Sequence, residues 1–149
     1  MTDNAEASGR GSEISKVELF LFTQEIANVA FDVNPGGIDM PGARAKRTRL
    51  GVAIETRDGA RGEYIGGRSD TYLHAKFLAR WILGMDAFGR EQIYEIARRY
   101  LRKEDRIGAC QIDNALWDLA GKRIGASVTQ MLGGSPRRLP AYASTWFAG

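Results

Sequence analysis

Three groups of side chains in this sequence could do chemistry. The carboxylates Asp113 and Asp118 lie in one apolar run with Cys110 just before them, and His74 is the single histidine. The cations Arg44, Lys46, Arg47 and Arg49 crowd one short stretch, and Arg68 follows two glycines further on. Two carboxylates can share a metal ion or work as an acid–base pair. A spacing of five on a helix, however, sets them about 140° apart, so they do not converge on one ion. Asp118 therefore reads as a structural hydrogen-bonding residue at the contact with a following domain, and Trp117 beside it as packing rather than a stacking platform. His74, opposite or beside the apolar stripe of its helix, reads as a surface residue rather than a catalytic one, and Cys110 as a small buried hydrophobe. The basic cluster has two readings, a solvated strand edge or a contact for an anionic substrate. Nucleic-acid binding would want aromatic residues interleaved with the cations, and none are.

The elements that must position these groups follow from periodicity. From Ile14 the pattern alternates: Val17, Leu19 and Leu21 point one way, Phe20 and Phe22 the other, as in a strand. Thr23 to Ala45 contains Pro35-Gly36-Gly37 and Pro41-Gly42 and is expected to be one long loop. Arg49 to Thr56 alternates again, with Leu50, Val52 and Ile54 on one face and Arg47 and Arg49 on the other. Asp58-Gly59 is a hairpin signal, with a return strand over about Ala60 to Ile65. The period then turns helical. Ser69 or Asp70 can cap a helix with Leu73, Phe77 and Trp81 as its inward stripe, ended by Gly84. A second helix runs from near Arg90 to Lys103 (Ile93, Ile96, Ala97 and Tyr100 inward). A third covers about Ile107 to Arg123, with Ala109, Ile112, Leu116 and Leu119 inward. A short fourth spans Val128 to Leu132, and Leu139 to Ser144 reads as one more strand. Strands followed by helices make an α+β domain: a three-stranded antiparallel sheet followed by a helical bundle.

The bulk numbers fit one soluble domain. The chain has 149 residues, 44% hydrophobic and 26% charged, and a net charge of +3. A lone cysteine allows no intrachain disulfide and fits a reducing cytoplasm. The start of the chain is polar and acidic where a secretory signal would be basic, and no run reaches the length of a membrane span. Residues 1–12 are rich in Ser, Gly and acids and are expected to be disordered.

Ile112-Asp113-Asn114-Ala115-Leu116-Trp117-Asp118-Leu119-Ala120-Gly121-Lys122, then Met131-Leu132-Gly133-Gly134, then Leu139-Pro140-Ala141-Tyr142-Ala143-Ser144 resemble one family. It is the N-terminal capping domain of the mandelate racemase/muconate lactonizing enzyme group in the enolase superfamily. The hairpin from Ile54 to Glu63 is similar too, and the resemblance covers Ile14 to Gly149. Ser127 departs from a Pro common in relatives, but Ser is itself a good helix cap.

The resemblance implies a capping domain over 13–135 and, over 136–149, the start of a truncated (β/α) barrel with its first strand. It implies Mg²⁺ and a base on the barrel that removes a proton alpha to a carboxylate, leading to racemisation, epimerisation or dehydration of a hydroxy acid or sugar acid. No catalytic residue and no metal ligand is assigned to this chain. In the family the long loop after the first strand closes over the substrate, which makes Phe31, Val33, Ile38 and Met40 candidate pocket residues. Gly66-Gly67-Arg68 corresponds to a second specificity loop, where Arg68 either pairs with a carboxylate or hydroxyl-rich substrate or lies in solvent. Ser144 and Thr145 sit where barrel strands end in catalytic groups. Mandelate racemase has His after the Ser, whereas this chain has Thr145 and then Trp146, which argues against mandelate. A small carboxylate is the expected partner, with no nucleic acid and no membrane, and the full-length form is expected to be a homo-oligomer. The alternative is a stand-alone, non-catalytic binding or assembly module built from the cap.

Overall fold

The computed structural model describes residues 11–29, 43–103 and 107–141. Strands β1 (Ile14–Val29), β2 (Ala43–Thr56) and β3 (Arg61–Gly66) form one antiparallel sheet in the order β1-β2-β3. A 3-10 turn (Ser69–Thr71) leads into α1 (Tyr72–Ile82), followed by α2 (Arg90–Tyr100), α3 (Ile107–Ile124) and the short α4 (Val128–Met131). This is the α+β order that the periodicity predicts.

The β2–β3 turn follows from its residues. Gly59 takes a left-handed φ of 84°. Thr56 Oγ1 donates to Asp58 Oδ1 at 2.6 Å, and the Thr56 and Ala60 backbones close a three-residue loop. Leu50, Val52 and Ile54 on β2 are buried at 0–1% exposure, as their alternation requires. They meet Ile112, Ala115, Leu116 and Leu119 of α3, all fully buried. Gly62 of β3 allows this approach, because a Cβ there would stand 2.2 Å from the Ala115 carbonyl oxygen. The N-terminal end is held by backbone bonds: Gly11 O accepts from Asp58 N, Ser12 O from Ala87 N, and Ile14 N donates to Met85 O at 2.8 Å.

Three expectations need correcting. The loop expected over Thr23–Ala45 is shorter: β1 continues to Val29 and β2 begins at Ala43, with Thr23 paired to Thr48 and Val29 to Ala43. The prolines and glycines lie at 35–42, and nothing in Thr23 to Val29 prevents strand pairing. Beyond Leu50, which pairs with Gly66, β2 has β1 as its strand partner and the sheet narrows to a two-stranded ribbon. Second, α1 turns its other side inward. Ala75, Leu78, Ala79 and Ile82 are buried, whereas Leu73, Phe77 and Trp81 are 69%, 44% and 47% exposed. Two alanines let the helix settle close on the sheet, and the bulky residues stay outside, where Trp81 stacks on Tyr100 at 4.4 Å between ring centroids. Tyr100, expected inward, is thus exposed as well, and Leu101 is buried in the core instead. Third, Cys110 is exposed, while His74, expected at the surface, is half-buried.

At the C-terminal side Ser127 caps α4 in a reciprocal box with Gln130: Ser127 N donates to Gln130 Oε1 at 2.8 Å and Gln130 N to Ser127 Oγ at 3.3 Å. Leu139–Ala141, expected to open a strand, carry none among the described residues.

Candidate functional site

The functional side chains collect where β2 parts from β3. β3 ends at Gly66, and Gly67 turns the chain with a φ of 73°. Arg68 follows, and its carbonyl oxygen accepts from Thr71 Oγ1 at 2.7 Å and from Thr71 N at 3.1 Å. Arg49 Nη1 reaches across to the Gly67 carbonyl at 3.5 Å. The register Leu50↔Gly66 thereby brings Lys46, Arg47, Thr48 and Arg49 against Arg68 and Ser69 around a cleft of about 460 Å³.

Four of the six lining residues are cations. Asp70 stands beside them: Arg68 pairs with it, Nε lying 3.4 Å from Oδ1. The Arg68 hydrogen bond holds the Asp70 carboxyl below the usual carboxylate range. On the ribbon, the Thr23 and Thr48 hydroxyls meet at 3.0 Å. Guanidinium forks present planar donors that match a carboxylate, and the Thr48 and Ser69 hydroxyls suit sugar hydroxyls. Arginine does not give up its proton near neutral pH. The cleft arginines can bind and orient an anion but cannot abstract a proton.

A second cavity, about 290 Å³, lies between α2 and α3 and is lined by Phe88, Arg90, Glu91, Tyr94, Asp113 and Trp117. The Arg90 guanidinium carbon sits 3.3 Å from the Trp117 ring centroid. Desolvation there pushes the Asp113 carboxyl up, against the opposing effects of Arg90 and the Trp117 hydrogen bond. Asp118 faces elsewhere: its Oδ2 accepts from Glu63 N at 2.8 Å and from Lys122 Nζ at 2.6 Å. It ties α3 to β3 within the domain, a structural hydrogen bond whose partners are not those of the domain contact expected for it. Among the described residues no group of three or more His, Cys, Asp and Glu could hold a metal ion. The described residues therefore do not fit a Mg²⁺ site.

Of the residues singled out from the sequence, Arg68 lies in the first cleft. Phe31, Val33, Ile38, Met40, Ser144 and Thr145 lie outside the described residues. The Arg47/Arg49 cluster, which sequence reasoning left between solvent and substrate, turns out to share a cleft with Arg68. Thr48 carried no signal and Ser69 only that of a helix cap, because their meeting depends on strand register.

The comparisons agree with this architecture. Residues 26–133 match the model of the mandelate racemase/muconate lactonizing enzyme N-terminal domain. A D-galactarolactone cycloisomerase from Agrobacterium fabrum is 33% identical over 110 residues, 68% of this chain and 29% of that protein. The crystal structure of an enolase superfamily member from Polaromonas sp. JS666 superposes with a TM-score of 0.73 at 26% identity, covering 92% of this chain and 37% of that one. D-glucarate dehydratase from Agrobacterium tumefaciens, solved with magnesium, shares the fold with a TM-score of 0.69 at 23% identity, covering 84% and 33%. The chain spans about a third of the length of these relatives. No helix among the described residues is long and apolar enough to cross a membrane. By its sequence match and its fold, this chain belongs to the mandelate racemase/muconate lactonizing enzyme N-terminal domain family of the enolase superfamily.

Proposed function

We propose that the chain is the capping, specificity-bearing part of an enzyme that removes a proton alpha to a carboxylate, in racemisation, epimerisation, dehydration or cycloisomerisation of a hydroxy acid or sugar acid. The observation that carries this reading is the cleft of Lys46, Arg47, Arg49 and Arg68, with two hydroxyls, on a fold shared with sugar-acid enzymes. In this reading the cap fills 13–135, and 136–149 begins a barrel that supplies the base and the Mg²⁺ ligands. Ser144 and Thr145 stand at the substrate, with Phe31, Val33, Ile38 and Met40 covering it from the hairpin end. The assembled enzyme is a cytoplasmic homo-oligomer. The cap's own work is to hold the charged or hydroxylated end of the substrate and keep water away.

An NMR titration of the 149-residue chain with galactarate, a sugar diacid, and with galactitol, its uncharged analogue, tests the reading. Galactarate should move the Thr48, Arg68 and Ser69 signals, and galactitol should leave them still. Equal responses, or shifts confined to another surface, would overturn it. The exposed Leu73, Phe77, Trp81 and Tyr100 favour a second reading, the assembly module. Concentration-dependent dimerisation lost in Trp81→Ala, together with no galactarate response, would put that reading first.

A further inference from the structure

The turn that carries Arg68 rests on the first turn of α3. Gly108 makes the contact possible: a Cβ there would stand 2.3 Å from His74 Cβ, 2.7 Å from the Thr71 carbonyl oxygen and 2.8 Å from Ala75 N. Any side chain at 108 would push α3 away from the start of α1. One helical turn further on, Gln111 is 4% exposed. Its carboxamide lies against Gly67, where a Cβ would stand 2.7 Å from Gln111 Nε2 and 2.9 Å from Thr71 Oγ1. Thr71 Oγ1 is the group that donates to the Arg68 carbonyl. Gly67 itself has the left-handed φ that a side chain would strain.

We propose that Gln111 is a positioning residue for the anion cleft: from α3 it sets the 66–71 turn and, through Gly67 and Thr71, the place of Arg68. The proposal rests on the reading of that cleft as the substrate's anion site. Its physical basis is the cost of burying a carboxamide. A methionine would fill the same space without desolvating an amide. A buried amide instead imposes direction on the polar atoms it faces, and here it faces the one turn that carries a cleft cation.

Amide exchange and a carboxyl titration by NMR on the 149-residue chain test this. The variants are Gln111→Met, Thr71→Val and, as reference, Arg68→Gln. In Gln111→Met the Thr71 amide, which donates to the Arg68 carbonyl, should exchange at least tenfold faster, while Ile112 and Leu116 keep wild-type protection. The Asp70 titration should move up toward its position in Arg68→Gln, because Arg68 no longer stands beside it. Thr71→Val should give the same pattern. Wild-type exchange at Thr71 and an unmoved Asp70 in Gln111→Met would overturn the proposal, as would protection lost evenly along α3. If Gln111→Met does not fold, Thr71→Val decides on the same two readouts.

Galactarate affinity, measured in parallel, should fall at least fivefold in Gln111→Met and in Arg68→Gln. The double variant should bind no more weakly than Arg68→Gln alone, and additive losses would show that Gln111 does not act through Arg68. If galactarate moves no cleft signal in the wild type, the anion-site reading fails, while exchange and the Asp70 titration still judge the positioning.

Discussion

The ring of Phe20 on β1 lies across Gly51 on β2, so that a Cβ at residue 51 would stand 2.2 Å from two of its ring carbons. Phe20 is 45% exposed, and its ring is free to swing outward. Gly51→Ala should therefore change stability by no more than about 1 kcal/mol, because lost ring cover is offset by lower chain entropy in the unfolded state. Gly62→Ala meets backbone instead: Ala115 O at 2.2 Å and Leu119 N at 2.5 Å. It should cost about 3 kcal/mol or more and lower Tm by roughly 10 °C. Urea unfolding of the pair checks the contrast, and equal costs would refute it.

On α1, adjacent residues should behave oppositely. Leu78 is 2% exposed, and Leu78→Ala should cost about 2–5 kcal/mol. Phe77, 44% exposed, touches Trp81 and Tyr100 at the surface, and Phe77→Ala should cost about 1 kcal/mol. Thermal unfolding of the two variants separates the inward from the outward face.

Stability should fall in acid. The Thr56 hydrogen bond, and then Arg123, hold the Asp58 carboxyl below its ordinary value of 3.8. The stability it contributes is thus present above that value and lost as pH falls through the lower folded-state one. Glu18, Asp70 and Glu95, each bonded to a cation, have the same sign. Asp58→Asn should flatten the decline in urea midpoint below about pH 4. Asp113 has the opposite sign: raised by desolvation, its contribution is complete below the ordinary value and is lost as pH rises through the folded-state one. Asp113→Asn should consequently be at least as stable as wild type at pH 7.

Arg49→Gln should weaken galactarate binding about tenfold, the scale of one hydrogen bond to a charged group. The wild-type affinity should fall as salt rises from about 0.05 to 0.5 M, since Lys46, Arg47 and Arg68 are exposed. An affinity indifferent to salt would mean that the ligand is held by something other than these charges.

Much of this was legible in the residues. The third helix announced its buried face through Ile112, Leu116 and Leu119, and Asp58-Gly59 announced its turn. The inward side of α1 was not legible by periodicity, because Ala75, Leu78, Ala79 and Ile82 repeat as regularly as Leu73, Phe77 and Trp81. Size misled: the small residues permit close packing, and the large ones need more room than the interface has. The length of the hairpin was hidden for another reason. Gln24, Glu25, Lys46 and Arg47 are all exposed, so this stretch of the ribbon prints no alternation of buried and exposed residues into the sequence. The cleft was half visible. Arg47 and Arg49 form a local cluster, but their meeting with Arg68 depends on a pairing of Leu50 with Gly66 across sixteen residues of chain. Gln111 gave no signal at all, being a polar residue in a helix of ordinary composition.

The narrowing of the sheet beyond Leu50 makes the ribbon a lever arm. From Leu21 to Val29 it runs about 26 Å at the usual strand rise, and two strands alone have little stability of their own in water. At its root, where Leu50 pairs with Gly66, the Arg49 side chain reaches the Gly67 carbonyl at 3.5 Å. A tilt of about 10° there would carry the far end roughly 5 Å over that length. A small change of angle at the base therefore shifts where residues some 25 Å away can reach.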